Sequence, residues 1–581
     1  EILETSTALW VSPGNQRIAY LRFNDSRTGR YEMQWFGSPE AAYPQRRSVY
    51  YPKAGSVGAP ISNVTVHVFD VKTTRTAQLA RPGPVPEEHY IGAVRWLDAD
   101  RLLLAWLDRS QTEGCLTVCR LPEATCSLIY NEHRPTGWVE LMKQTNSQPL
   151  VDPTGNRIFI VLHNSGFRRL AHLRTDSFKV LQWITPAAYD VSDIVHFDRH
   201  AGTCTSCHAE NRLTHAMLPK CTFTGLLSVA AAASRRSPVP QVSGATTFHS
   251  RSFNHSRIPV PSSDQQSPVA NCMTCEPLLH PFNVTCDYSL ASFSHSGEHF
   301  LHECLGPEPF QYFLRHNDYS SNAGTKRLVE AASVNQANSS AGIQAAAAAQ
   351  TDNRQGACAD PLEVNAKLLV PAQLNESHIT KYPLLLKVYG GPTAQMVTRR
   401  FELGWQHYMG SALHFITASV DGRGTGNRGS DFLFAIKSSF AGVELQDQMD
   451  ALKALRSLQY VNSSAVALFG WSYGGFLALH MLGHPFNANN SYCSCAVAVA
   501  SVTDFSYYNS GYTERYLGIK SDKSAEAYRR TNVTQLAANF WNKDLFLVHG
   551  TADDNVHYQN TAQLVKALVL ENIDFEFMVR G

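Results

Sequence analysis

"ALFGWSYGGFLALH", residues 467–480, decides how the chain reads. Ser472 stands between Gly470 and Gly474 in the G-x-S-x-G spacing of a nucleophile elbow. "VALF" ahead of it is apolar enough for a buried strand, and "GGFLALHML" (474–482) behind it carries helical spacing. Between strand and helix the motif has chemical meaning, because the glycines permit a sharp turn and leave the hydroxyl standing at the edge of a sheet. The alternative is a glycine-rich turn with an incidental serine. A serine hydroxyl becomes a nucleophile only when a base takes its proton and an acid orients that base.

Outward from the elbow, strands alternate with helices. "PLLLKVYGG" (383–391), "HFITASVDG" (414–422), "AVALFG" (465–470), "CAVAVAS" (495–501) and "DLFLVHG" (544–550) are continuous apolar runs, suited to strands buried on both faces. "GVELQDQMDALKALRSL" (442–458) has helical periodicity. The pattern predicts a doubly wound, mostly parallel sheet of the α/β-hydrolase kind over 361–581. In that order of elements the acid follows a later strand, which points to Asp553 in "DLFLVHGTADDNV". The alternative is that Asp553 and Asp554 only hold the turn. The base should come after the acid, so His480, His484 and His549 read as structural, as does His557, four residues beyond Asp553. One decoy is "GTGNRG" (424–429), a G-x-G-x-x-G match. No clean helix is expected in the "SDFLFAIKSSF" that follows, so a hydrolase loop is the better reading than a dinucleotide site.

The first 360 residues have another grammar. "LWVSPGNQRIAYL" (9–21), "VRWLDADRLLLAWL" (94–107), "PLVDPTGNRIFIVL" (149–162) and "SFSHSGEHFLHECL" (292–305) each place turn residues before a β-rich run. Antiparallel blades repeat in this way, so a partial β-propeller is predicted over 1–360, with a β-sandwich as the alternative. Residues 222–270 and 331–360 lack any period and are rich in Ser, Pro and Ala, and they are expected to be disordered insertions.

With 17% charged and 44% hydrophobic residues the chain has the balance of a folded protein, and its net charge of +1 gives no electrostatic case for nucleic acid. No apolar run is long enough to cross a bilayer. N-x-S/T acceptors at Asn24, Asn63, Asn254, Asn283, Asn338, Asn375, Asn462, Asn489 and Asn532 favour an oxidising, extracellular or cell-surface compartment. The thirteen cysteines are then read as disulfide formers. Zinc held by Cys204, Cys207, Cys272 and Cys275 is the alternative, at a spacing far too wide for a zinc ribbon.

Taken together, "GWSYGG", "VYGGP", "DGRGTGNRG", "YYNSGYTERYLG" and "HGTADDNVH" resemble the dipeptidyl peptidase IV branch of the prolyl oligopeptidase family, near-continuously from Lys381 to Met578 and more patchily in "ALWVSP" and "YPKAGS" (51–56). The resemblance implies a propeller capping an α/β-hydrolase, and a serine exopeptidase that removes N-terminal dipeptides after proline or alanine without cofactor or metal. It implies Ser472 as nucleophile, Asp553 as acid, and the Tyr389 hydroxyl with the Tyr473 backbone N–H as oxyanion donors. Val502, Tyr508, Tyr512 and Val556 would line the proline pocket, Phe505 stands where tryptophan is usual, and Asn555 matches a contact to the substrate carbonyl. Read without the resemblance, those tyrosines are hydrophobic core. Cys119–Cys126, Cys272–Cys275 and Cys286–Cys304 resemble family disulfides, and the partner of Cys495 would lie beyond Gly581.

The resemblance also implies a homodimer, with membrane attachment only through an upstream anchor that is not in this chain. Glu1 aligns with the last glutamate of a run that binds the substrate amine, so its companion glutamate and further blades would lie upstream. The family's histidine follows the "DFEFMV" strand by a few residues, which places it beyond Gly581. These 581 residues alone are therefore expected to be inactive.

Overall fold

The computed structural model describes residues 7–35, 43–54, 61–141, 149–152, 154–177, 180–198, 203–210, 252–259, 271–272, 286–294, 299–307, 310–316, 326–330, 343–344, 349–351, 362–371, 374 and 380–580. The apolar runs of the second half form one twisted sheet in the spatial order Leu362–Leu369, Ile416–Asp421, Tyr382–Val388, Val461–Trp471, Cys495–Val499, Asp544–Gly550, Glu576–Arg580. Leu362–Leu369 runs antiparallel at its end of this order and the others are parallel. Both faces are covered, because these runs are largely apolar. Helices Val443–Arg456 and Tyr473–Leu482 pack on the central strands, and Trp405–Ala412 packs on Ile416–Asp421 and Leu362–Leu369.

From Tyr382–Val388 the chain steps one way to Ile416–Asp421, then returns past its starting point to Val461–Trp471. That reversal opens a crevice at the carboxyl ends of two adjacent strands, where α/β sheets place their sites. Tyr389 leaves one of those ends and Ser472 the other, with Val388 and Gly470 in register.

The first half is built from antiparallel sheets of four strands, each covering a contiguous run of sequence. The first joins Leu9–Val11, Arg17–Asn24, Asn63–Asp70 and Arg75–Gln78; the second is His89–Trp96 through Thr125–His133; the third is Leu150–Val151 through Val180–Trp183. A larger sheet takes in Asp190–Asp198 to Lys326–Glu330. The four repeated segments become the hairpins of these blades, and Asn15 and Gly155 adopt positive φ in two of the turns. These are propeller blades rather than the two facing sheets of a sandwich.

Two expectations need correction. Within the stretches expected to be disordered, Ser252–Pro259, Ile343–Gln344 and Ala349–Thr351 are strands. Ser252–Pro259 pairs along its length with Thr203–Glu210, so a neighbour's backbone supplies the hydrogen bonds its composition gave no hint of. The rest of both stretches lies outside the described residues. After "GTGNRG" a short helix does form, Ser430–Phe434, but its glycines serve packing. A methyl at Gly424 would meet Ile436 at 2.6 Å, and one at Gly426 would meet the Thr393 carbonyl at 2.7 Å.

Blades and hydrolase meet through specific contacts. Arg109 forks onto Glu514 with two 2.7 Å bonds, and Gln111 bonds both the Gly511 carbonyl and Arg515. Trp138, fully buried, stands edge-on to Phe434 at 4.6 Å and Tyr516 at 4.8 Å. The hairpin Arg30–Trp35/Gln45–Tyr50 leaves the first blade and reaches the hydrolase, where Lys53 bridges Asn509 and the Tyr31 ring stacks on His557 at 3.6 Å. Of the expected disulfides, Cys119–Cys126 and Cys286–Cys304 form. Cys275 lies outside the described residues, as do the side chains of Cys204, Cys207 and Cys272. Among the described residues no helix is long and apolar enough to cross a membrane.

Candidate active site

Ser472 has φ 57° and ψ −117°, a left-handed backbone that non-glycine residues adopt only under constraint. The constraint is visible. The Ser472 N–H is tied to the Val499 carbonyl at 2.9 Å, and the Phe476 N–H returns to the Ser472 carbonyl at 3.1 Å. Glycine is demanded around it by proximity. A methyl at Gly470 would lie 2.0 Å from the Gly474 carbonyl, and one at Gly474 2.1 Å from the Val388 carbonyl. The Ser472 side chain makes no hydrogen bond among the described residues. Tyr473 opens the helix, so its N–H has no intrahelical acceptor and points toward the crevice end of the sheet.

Tyr389 lies across from it, ring centroid 6.4 Å from that of Tyr473. Burial pushes the Tyr389 hydroxyl above its ordinary value, which keeps it a proton donor. Around the two tyrosines the structure gathers an aromatic box. Phe505 lies 5.8 Å from Tyr473 and 6.3 Å from Tyr512, and Tyr508 meets Tyr512 edge-on at 5.3 Å. Val502 and Val556 are each 2% exposed in the same cluster. The Tyr508 hydroxyl donates to Asn555 Oδ1 at 2.8 Å, which ties the box to the loop that carries Asp553.

Asp553 accepts from the Asn555 and Val556 N–H groups at 3.0 and 2.9 Å through Oδ1. Burial opposes its charge, but these donors and the neighbouring His549 hold the carboxyl below its ordinary value, so it is an anion at neutral pH. Among the described residues Oδ2 has only His549 Nε2, at 3.5 Å, and that N–H is already given to the Val556 carbonyl at 2.7 Å. His549 Nδ1 accepts from Thr561 at 2.6 Å, so this imidazole braces the loop. His557 is buried against Tyr31 and Tyr51, which drives its pKa down to about 4. His480, on the elbow helix, packs on Phe476 and is likewise pushed to about 4 by burial. His484 accepts from the Phe486 N–H. Among the described residues no histidine hydrogen-bonds Ser472.

Sequence reasoning missed three residues here. Phe440 sits at the centre of the box, 5.2 Å from Tyr473 and 4.8 Å from Phe505. Glu444, 1% exposed, accepts from the Ala441 N–H at 2.6 Å and the Tyr473 hydroxyl at 3.0 Å. A glutamate in the first turn of a helix is an ordinary signal, and only its burial distinguishes it. Tyr51, from the first half, also reaches in, donating to the Asn555 carbonyl at 2.8 Å. Glu1 lies outside the described residues.

Residues 401–580 match the prolyl oligopeptidase family model, and residues 1–205 match that of the dipeptidyl peptidase IV (DPP IV) N-terminal region. Dipeptidyl peptidase 4 of Bos taurus is 29% identical over 598 residues, covering 100% of this chain and 69% of the bovine protein. Inactive dipeptidyl peptidase 10 of Rattus norvegicus is 27% identical over 588 residues, covering 100% of this chain and 65% of the rat protein. The crystal structure of Porphyromonas gingivalis dipeptidyl peptidase 4 superposes with a TM-score of 0.78 at 23% identity, over 99% of this chain and 71% of that one, and supports the fold. Elbow, blades and both family matches agree: the chain belongs to the prolyl oligopeptidase family, in its dipeptidyl peptidase IV branch.

Proposed function

We propose that this chain carries the machinery of a serine exopeptidase that releases X-Pro or X-Ala dipeptides from peptide N-termini. The observation that carries the reading is Ser472, held at positive φ beside a buried cluster of aromatic rings. In this reading Ser472 Oγ attacks the proline's own carbonyl carbon, the base takes the serine proton, and it hands that proton to the peptide nitrogen as the C–N bond breaks. Water then hydrolyses the acyl-enzyme. The Tyr389 hydroxyl and Tyr473 N–H donate to the oxyanion, each worth about 3 kcal/mol of barrier. Tyr508, Tyr512, Val502, Val556 and Phe505 pack the ring, Asn555 makes a polar contact to a substrate carbonyl, and Glu1 with a second glutamate pairs the substrate ammonium. A histidine outside these 581 residues would place its Nδ1–H on the open Oδ2 of Asp553 and its Nε2 toward Ser472. Without that base, turnover falls by about 10⁶.

The rat relative's name raises a second reading, a non-catalytic auxiliary subunit. An intact elbow with an unengaged serine weighs against it. For the surroundings, Asn24, Asn63 and Asn489 are exposed glycan acceptors, in keeping with a cell-surface or secreted homodimer. The test compares the 581-residue chain with one extended through the family's histidine on Gly-Pro and acyl-ester reporters. The extended chain should cleave Gly-Pro and lose that activity with Ser472→Ala. Preference for the ester, or full activity in the shorter chain, would overturn the assignment.

A further inference from the structure

The hydrolase sheet carries a second polar site that the peptidase chemistry does not use. Lys367 pairs with Ser419 across the antiparallel edge. In the next strand Leu386 pairs with Ala418, which brings Lys387 level with Ser419. Two residues along, Thr417 lies between Leu369 and Leu385. One face of three adjacent strands therefore reads Lys–Ser–Lys over Leu–Thr–Leu, where a buried hydrolase sheet would normally be apolar.

Lys367, Ser419, Lys387, Leu369 and Thr417 line a cavity of about 160 Å³ beneath Gln406 and His407 of the helix Trp405–Ala412, with the exposed Arg400 and Glu402 also on its wall. One water needs only ~10–15 Å³ measured in the same way, so the space holds a polyatomic ion with its waters. Its charges are unbalanced. Lys387 has a single long contact, 3.4 Å to Gln406 Oε1, and neither lysine forms an ion pair among the described residues. Burial depresses the Lys367 ammonium; the Glu402 carboxylate opposes this and the nearby Lys387 adds to it, so two cations share one partly desolvated space with a single exposed carboxylate at its wall. Thr417 is 1% exposed and its hydroxyl has no partner among the described residues. Cations only partly balanced and an orphan hydroxyl in one cavity each cost stability unless a ligand satisfies them.

We propose that this cavity binds a small tetrahedral oxyanion, sulfate or phosphate, free or as the terminal group of an ester, between the Lys367 and Lys387 ammonium groups with the Ser419 and Thr417 hydroxyls donating. Two opposed cations fit a doubly charged anion, and short hydroxyls at the cavity floor suit its remaining oxygens. The site is independent of the peptidase reading, because no residue in it touches Ser472 or the aromatic box.

Isothermal titration of the protein with sodium sulfate, sodium phosphate and galactose 6-sulfate tests it, with sodium chloride at matched ionic strength as control. One saturable site is expected for the oxyanions and none for chloride. Lys367→Met and Lys387→Met keep the apolar stems and should each weaken binding at least tenfold, and Thr417→Val should weaken it severalfold, with circular dichroism unchanged. Tighter binding of the sugar sulfate than of the free ions would identify an ester ligand, and the reverse a free anion. Chloride matching the oxyanions, or the double lysine variant binding like the parent, would overturn the proposal. Should a lysine variant not fold, the same criterion applies to Ser419→Ala.

Discussion

Glu444 makes the stability of the hydrolase half depend on pH in a direction opposite to that of most carboxylates. Burial pushes its pKa up from 4.5 to about 7, against the pull of the backbone donors and the Tyr473 hydroxyl. Between those values the folded protein keeps a proton that the unfolded chain has released. The contribution is therefore fully present below pH 4.5 and is lost as pH rises through 7. At ~1.4 kcal/mol per unit, the loss approaches roughly 3 kcal/mol by pH 8. Glu444→Gln preserves shape but cannot ionise. Its amide N–H₂ meets the Gly442 N–H that Oε2 now accepts at 3.3 Å, a donor–donor conflict costing about 1–2 kcal/mol at every pH. The variant should thus be less stable than the parent at pH 5 and equal or more stable at pH 8. Other titrating groups are common to both proteins and cancel in the difference. At ~2–4 °C per kcal/mol for a domain of this size, scanning fluorimetry should see the gap between the two melting midpoints shift by several degrees between pH 5 and 8. A gap constant across that range would mean that Glu444 ionises like a surface carboxylate, and that its burial does not govern its charge.

Three further outcomes follow from the same geometry. If Tyr389 donates to the oxyanion as proposed, Tyr389→Phe in the chain extended through the family's histidine should lower kcat about 10²–10³-fold with little change in KM for a Gly-Pro reporter. Gly474→Ala drives a methyl to 2.1 Å from the Val388 carbonyl and 3.0 Å from Tyr389 Cα, so the elbow and its oxyanion tyrosine must part. In the chain extended through the family's histidine, fluorophosphonate labelling of Ser472 should fall at least 100-fold, a displacement of about 1 Å being enough. Trp138→Ala empties a fully buried site between blade and hydrolase and leaves Glu140 Oε1 without the indole donor. A loss of about 3–5 kcal/mol is expected, read as an earlier unfolding midpoint in urea.

Much of this was legible in the sequence because it is local. The apolar runs at 383–391, 465–470, 495–501 and 544–550 became successive neighbours in one sheet, and the glycines around Ser472 became the close approaches they implied. The hairpin repeats at 9–21 and 149–162 were equally local. What could not be read was convergence over distance. Phe440 and Glu444 precede the serine by some thirty residues and declare nothing by type, yet they back Tyr473. Gln111 meets Arg515, and Tyr51 meets Asn555, across separations of 404 and 504 residues. No periodicity reports such pairings. Composition misled at Ser252–Pro259, where strand formation is set by the neighbour and not by the segment itself.

The Tyr31–His557 stack has a mechanical consequence. The imidazole is clamped at 3.6 Å by a ring on a hairpin rooted in the first blade, and it follows Asp553 by only four residues. Displacing the hairpin would therefore disturb the turn that carries Asp553, so the setting of the first blade and that of the carboxylate are coupled through this ring contact.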